Sequence, residues 1–228
     1  MLYPWHGQGK KVDASKKASS RVLYISLAVI AGILICSAIF TTTGFSIFNG
    51  ILEKPETTSG GSNAELVTLA YNVLGYLDDG DYNALSTIAH PEYGIVFSPY
   101  ATINLFTNKC FQANQIAALG SDNTVYVWGV INGSGEPIEM TPADYFAEII
   151  CAGNYIDSSI IGINHIVKTG NALENITEIP GIQFVDFHLP GNDHDPAEDF
   201  EWRSLRLGFE DYEGSLRLTL ILNSKWTG

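Results

Sequence analysis

Basic side chains are scarce in this chain of 228 residues: 12 Lys and Arg stand against 25 Asp and Glu, for a formal net charge of −13. Nucleic-acid binding draws on Lys and Arg that displace counterions from phosphates, so this balance excludes nucleic acid as a partner. Cysteine is scarcer still, with only Cys36, Cys110 and Cys151. Three cysteines rule out a disulfide-dense scaffold, and the close Cys/His spacing of a zinc site is missing. Also absent are the G-x-S-x-G nucleophile turn, the phosphate-binding P-loop and the dinucleotide-binding G-x-G-x-x-G. No internal repeat is visible. No cofactor and no metal is therefore expected.

The charge that exists is unevenly placed. Residues 1–21 carry Lys10, Lys11, Lys16, Lys17 and Arg21 against Asp13 alone, which leaves 24 acids and seven bases for the rest of the chain. Between Arg21 and Glu53 no charged residue occurs, and Val22 to Phe40 is apolar apart from isolated Ser, Tyr and Cys. A helix over these 19 residues rises about 28 Å, close to the hydrocarbon thickness of a bilayer, roughly 30 Å. The expectation is a cytoplasmic basic tail at 1–21, a transmembrane helix and membrane-proximal segment at 22–48, a linker at 49–63 and an extracytoplasmic domain at 64–228. Membrane lipid is then a partner, and each tail Lys or Arg contributes about 1 kcal/mol near anionic headgroups. A cleaved signal peptide has a shorter apolar run ending in small residues, and a lipoprotein signal wants a small residue where Ile35 precedes Cys36. The acid excess outside serves solubility, with a cationic partner or a divalent ion as the functional alternative.

The outer domain reads as α+β. Leu66, Leu69, Ala70, Val73, Leu74 and Leu77 follow a helical face over 64–78, with Asn63 as cap; Asp81 caps a second, short helix that stops before His90-Pro91. Gly94 to Tyr100 reads as a strand that Pro99 limits to an edge or a strand end, and Phe111 to Leu119 as a short helix. Thr124 to Ile131 is strand-like and runs into the turn Asn132-Gly133-Ser134-Gly135; Thr141-Pro142 then opens another helix. Strands follow at Ile160 to Val167 and Ile182 to Leu189, and the chain closes on a hairpin, Trp202 to Asp211 and Leu216 to Trp226. In its second arm Leu216, Leu218, Leu220 and Leu222 alternate with Arg217, Thr219, Ile221 and Asn223, the period of a half-buried strand. Helices packed on one face of a curved, mainly antiparallel sheet are the expected architecture.

A resemblance accompanies these elements. The run Asp81-Tyr82-Asn83-Ala84-Leu85 with His90-Pro91-Glu92-Tyr93-Gly94-Ile95-Val96-Phe97-Ser98-Pro99-Tyr100, and the close Trp202-Arg203-Ser204-Leu205-Arg206-Leu207 with Trp226-Thr227, resemble an uncharacterised extracytoplasmic domain of Gram-positive bacteria, often borne by lipoproteins. The likeness covers residues 64–228. That domain is in turn distantly similar to the nuclear transport factor two-like group, whose helices and bent sheet form a cone with a pocket. The resemblance implies a cone-shaped scaffold of the cell envelope, of a kind that hosts enzymes, binding modules and dimerisation units, and assigns no catalytic residue.

Six residues are candidates for lining a ligand pocket. His90 is either a turn residue or an acid/base group, since an imidazole titrating near pH 6.5 suits both. Asp186 and His188 share a strand face two residues apart, as a structural pair or as an acid/base couple. Arg203 and Arg206 point to opposite sheet faces, Arg206 beside Trp202; either arginine can hold an anionic group by a forked hydrogen bond or pair with an acid. His165 is read as structural, in an apolar strand. Cys110 and Cys151 are either a disulfide closing a loop of about 40 residues or two buried thiols. The acid-rich run 191–199 lacks the D-x-D-x-D-G order of a calcium loop.

Taken together, these features lead to the expectation of a membrane-tethered, non-enzymatic module that binds a small ligand or an envelope protein. An envelope enzyme using a His/Asp pair in a cone pocket, and a subunit that homodimerises through a sheet face, are the alternatives.

Overall fold

The computed structural model describes residues 62–191 and 200–227, all within a unit spanning 50–228. The expected tail, transmembrane segment and linker up to residue 61 lie outside the described residues, as do 192–199 of the acid-rich run. Among the described residues no helix is long and apolar enough to cross a membrane.

Helix α1 (Asn63–Asp78) starts one residue earlier than its apolar spacing indicates, because Ser62 rather than Asn63 caps it; the Glu65 amide donates to Ser62 Oγ at 3.2 Å. It buries Leu66, Ala70, Val73, Leu74 and Leu77 and ends where Gly80 takes φ +64°. Asp81 accepts from the Ala84 amide at 2.9 Å and opens α2 (Tyr82–Ile88). Strand β1 (Ile95–Ser98) stops before Pro99; β2 (Lys109–Phe111), the short helix α3 (Ala113–Ile116) and a two-stranded ribbon of β3 (Tyr126–Val130) and β4 (Pro137–Met140) follow. Thr141 caps α4 (Pro142–Tyr145), which continues as a π-helical turn, Phe146–Ile150. The rest is sheet: β5 (Ile160–Ile163), β6 (Gln183–Leu189), β7 (Arg203–Tyr212) and β8 (Ser215–Lys225).

The fold is α+β. Six strands lie in the order β2-β1-β8-β7-β6-β5, and every neighbouring pair is antiparallel except β1 with β8. A bulge between Gly208 and Phe209 increases local twist and bends the β7–β8 hairpin. It also corrects the expected alternation in β8. Leu218 pairs with Phe209 and Leu220 with Gly208, so Thr219 is the extra residue. The leucines therefore divide: Leu216 and Leu218 join Ile221 in the core under the helices, whereas Leu220 and Leu222 face the other way.

That other face is covered too, so the sheet is buried on both sides rather than one. On the helix side Phe187, Leu207, Phe209 and Ile221 pack under α1 and the ribbon, with Tyr71 meeting Phe187 edge-on at 5.2 Å. An aromatic cluster fills the space between the ribbon and β1. Trp128 stacks on Tyr145 at 3.8 Å, Phe97 meets Trp128 edge-on at 5.9 Å, and Trp128 Nε1 donates to the Met140 carbonyl at 2.9 Å. On the opposite side irregular chain at 99–108 and 164–182 lays Ile103, Ile166, Ile176 and Ile179 over Val96, Phe184, Leu220 and Leu222.

Candidate functional site

Three rows of side chains cross β6, β7 and β8 on the loop-covered face. They read Phe184, Gly208, Leu220; then Asp186, Arg206, Leu222; then His188, Ser204, Ser224. Four of the six candidates, Asp186, His188, Trp202 and Arg206, are thereby gathered on one side of the sheet.

Arg206 is fully buried beside a fully buried Asp186. Its Nε donates to Asp186 Oδ2 at 3.0 Å, Nη1 to the Glu174 carboxylate, and Nη2 to the Lys168 carbonyl at 3.0 Å. Asp186 Oδ2 also accepts from the Val167 amide at 3.0 Å, and Glu174 Oε1 is 3.5 Å from the Ser224 hydroxyl. All three guanidinium nitrogens are thus engaged, two of them with acceptors in the covering segment. The path of that segment depends on its first turn. Gly162 stands opposite Asp186 with no room for a side chain, since a Cβ there would sit 2.0 Å from the His165 carbonyl oxygen. Asn164 takes φ +51° and exchanges two 2.8 Å hydrogen bonds with Phe184, by its backbone amide and its side-chain oxygen. The strand expected to run to Val167 ends at Ile163 for this reason, and His165 lies exposed on the turn rather than within a strand.

His188 and Asp186 do not bond to each other as their spacing suggested. His188 Nδ1 lies 2.9 Å from Ser204 Oγ across the ladder, its carbonyl accepts from Ser158 Oγ at 2.6 Å, and its ring tilts against Trp202 at 5.8 Å. Lys168 Nζ lies 5.6 Å from the Trp202 ring. Burial holds the His188 imidazole below its ordinary pKa, helped by Lys168 and Arg206 and opposed by Asp186. Ser204, His188 and Asp186 have the composition of a hydrolytic triad without its connectivity. Asp186 Oδ2 bonds Arg206 and Val167, Oδ1 is buried with no hydrogen-bond partner among the described residues, and Ser204 is fully buried, so neither a base oriented by the carboxylate nor an accessible nucleophile results.

The other two candidates lie apart. Arg203 is on the helix side, where Nη1 donates to the Ala152 carbonyl at 2.7 Å and clamps the loop after the π turn. Tyr155 in that loop has its phenol pushed up to about 12 by burial, against the pull of Arg203. His90 is buried near the far end of the hairpin. Its Nδ1 accepts from the Tyr93 amide at 3.1 Å, and its ring stacks on Tyr93 at 4.2 Å and meets Tyr212 edge-on.

Of the two readings of Cys110 and Cys151, the disulfide is corrected: both thiols are free. Cys110 on β2 donates to the Tyr93 carbonyl at 3.1 Å, and Cys151 after the π turn lies 3.8 Å from the Leu77 carbonyl. The alternative of two buried thiols fits Cys110, which is partly buried, and not Cys151, which is exposed. Burial pushes the Cys110 thiol up to about 11 although Lys109 pulls it down, so it stays protonated.

Two concavities lined by described residues contain none of the six candidates. One of about 40 Å³ lies between Leu77, Ile150, Tyr155 and Leu205, and an open groove of about 540 Å³ runs between α1 at Glu65, Thr68 and Leu69 and the hairpin at Leu216 and Arg217. Among the described residues no group of three His, Cys, Asp or Glu is placed to hold a metal ion. Glu174 and the Lys168 carbonyl were the partners missed by sequence reasoning, because both lie in chain without periodicity. The chain matches no family model, no curated protein and no solved structure.

Proposed function

We propose that this chain is a membrane-anchored, extracytoplasmic, non-enzymatic module that binds a protein partner through its surface. In this reading residues 22–48 supply the transmembrane helix and a membrane-proximal segment, 1–21 remain in the cytoplasm, and the α+β domain is a cone-like scaffold of the nuclear transport factor two-like kind, borne by a Gram-positive envelope protein. The observation that carries the choice of surface over pocket is that all three guanidinium nitrogens of Arg206 are bonded within the domain. Arg206, the residue best equipped to hold an anionic ligand, bonds Glu174 and the Lys168 carbonyl of the covering segment, and Asp186 bonds its Val167 amide. Support for a protein rather than a small ligand comes from exposed apolar side chains on the β3–β4 ribbon.

The test is photo-crosslinking of the full-length chain in a Gram-positive host, with a photoreactive side chain placed in turn at Val127, Leu173 and Thr68. The reading predicts that the chain sediments with membranes and forms a discrete adduct with an envelope protein from at least one position. A chain found in the soluble fraction, or one that gives no adduct from any position, overturns it.

A further inference from the structure

The ribbon has a composition that edge strands usually avoid. From Thr124 to Asn132 the chain is uncharged and rich in β-branched and aromatic residues. Trp128 turns inward, and Val125, Val127, Val130 and Ile131 are 61%, 46%, 39% and 41% exposed. β3 pairs with β4 along one edge, and among the described residues no strand pairs with its other edge. Edges left open in this way accept another strand unless a lysine, a proline, a charge or a bulge blocks them; β3 carries no lysine, proline or charge, and its register shift lies between Val127 and Val130, beyond the regularly paired Tyr126 and Val127.

The charge around the ribbon is mainly acidic, with Lys109 of β2, 4.2 Å over the Tyr126 ring, as a base beside it. Glu139 stands directly opposite Val127, and Glu136 lies at the turn beside Ile131. From Cys110 to Val167 the sequence contains Asp122, Glu136, Glu139, Asp144, Glu148 and Asp157 and no lysine or arginine. Edge-to-edge pairing with a second copy would set the two β4 strands about 14 Å apart and bring Glu136 and Glu139 no cation, whereas a basic segment beside β3 brings them one.

We propose that the open edge and outer face of β3 dock an extended segment of a partner protein in which basic and apolar residues alternate. The segment adds as a strand beside β3. Main-chain hydrogen bonds hold it, its apolar side chains cover Val125 and Val127, and its lysines or arginines reach over the valines to Glu136 and Glu139. This assignment rests on the protein-binding reading above and names the surface and the chemistry of the partner.

The test uses the full-length chain in detergent micelles and a fluorescent synthetic peptide of about nine residues, alternating lysine and valine, followed by anisotropy. Saturable binding is expected, weakening about tenfold between about 0.05 M and about 0.3 M salt. Val127→Lys, at an exposed position, is expected to weaken it at least about tenfold, with unchanged circular dichroism, and Glu139→Gln to weaken it less. Leu173→Lys, an exposed apolar site outside the ribbon, leaves binding unchanged. The assignment is overturned by equal binding of a glutamate–valine peptide, by equal binding of a lysine–valine peptide methylated on alternate amides, or by equal loss in Leu173→Lys. It is also overturned by a chain dimer that Val127→Lys dissolves, since the occupant is then a second copy. Crosslinks that persist from Leu173 or Thr68 while the lysine–valine peptide fails to bind remove the ribbon assignment and leave the protein-binding reading standing.

Discussion

On one side of the six-stranded sheet Phe187, Leu207 and Ile221 meet a helix and an aromatic cluster; on the other, Asp186, Arg206 and Ser224 meet irregular chain. The difference follows from what each cover leaves unpaired. A helix satisfies its own amides and carbonyls and needs only apolar contact to stay in place. The 164–182 segment has few bonds of its own, so buried polar side chains on the strands reach out to the Val167 amide, the Lys168 carbonyl and Glu174. One face is held by shape and the other by directed bonds, and substitutions on the two faces should fail in different ways.

The largest effect is expected for Trp128→Ala, which removes the centre of the aromatic cluster and should cost about 4 kcal/mol in urea unfolding of the whole domain. Arg206→Leu comes next. It leaves the carboxylates of Asp186 and Glu174 without their shared cation and should cost about 3 kcal/mol. Limited proteolysis separates the two variants, because only Arg206→Leu should speed cleavage within 164–182 relative to the rest of the domain. Gly162→Ala pushes a methyl group into the His165 carbonyl and should cost about 2 kcal/mol by the same assay, through the turn that launches the cover.

Two smaller effects refine the contrast. The Tyr145 hydroxyl is buried on the helix side with no hydrogen-bond partner among the described residues. Tyr145→Phe should therefore raise stability, by about 1 kcal/mol. His188 acts through pH. Its pKa is lowered by folding, so above the unfolded value near 6.5 it is neutral in both states and its contribution is fully present. As pH falls below that value the unfolded chain takes up a proton that the folded one refuses, and stability declines until the folded pKa is passed. Urea midpoints between pH 7 and pH 5 should fall less steeply in His188→Gln than in the parent, and equal slopes would remove His188 from the account.

How much of this was legible in the sequence depended on periodicity. The hairpin, the first helix, the Asp81 cap and the Thr141-Pro142 start were readable because alternation, apolar spacing and capping chemistry act locally. The opposite orientation of Arg203 and Arg206 also followed from alternation. Three features escaped it. The bulge at Thr219 divides a row of leucines that looks continuous, and only the pairing with β7 reveals it. Asp186 and His188 are neighbours along one strand, but residues two apart on a strand are separated by roughly 6.6 Å, whereas partners across a ladder come within about 5 Å. Each therefore bonds sideways, to Arg206 and to Ser204. Glu174 carried no signal at all, since an aperiodic segment gives no indication of which strand face it will cover.

Amide hydrogen exchange in the parent chain and in Arg206→Leu tests most directly whether the buried polar cluster holds the cover. The amides to follow are Val167, which donates to Asp186, and Ile103, which donates to Asn175 in the cover, with Val185 and Leu207 as reporters of the sheet. The account predicts that Val167 and Ile103 exchange at least about tenfold faster relative to Val185 and Leu207 in the variant, as local opening detaches from global unfolding. Uniform acceleration of all four amides would contradict it, because the cover would then be held by the same packing as the rest of the domain.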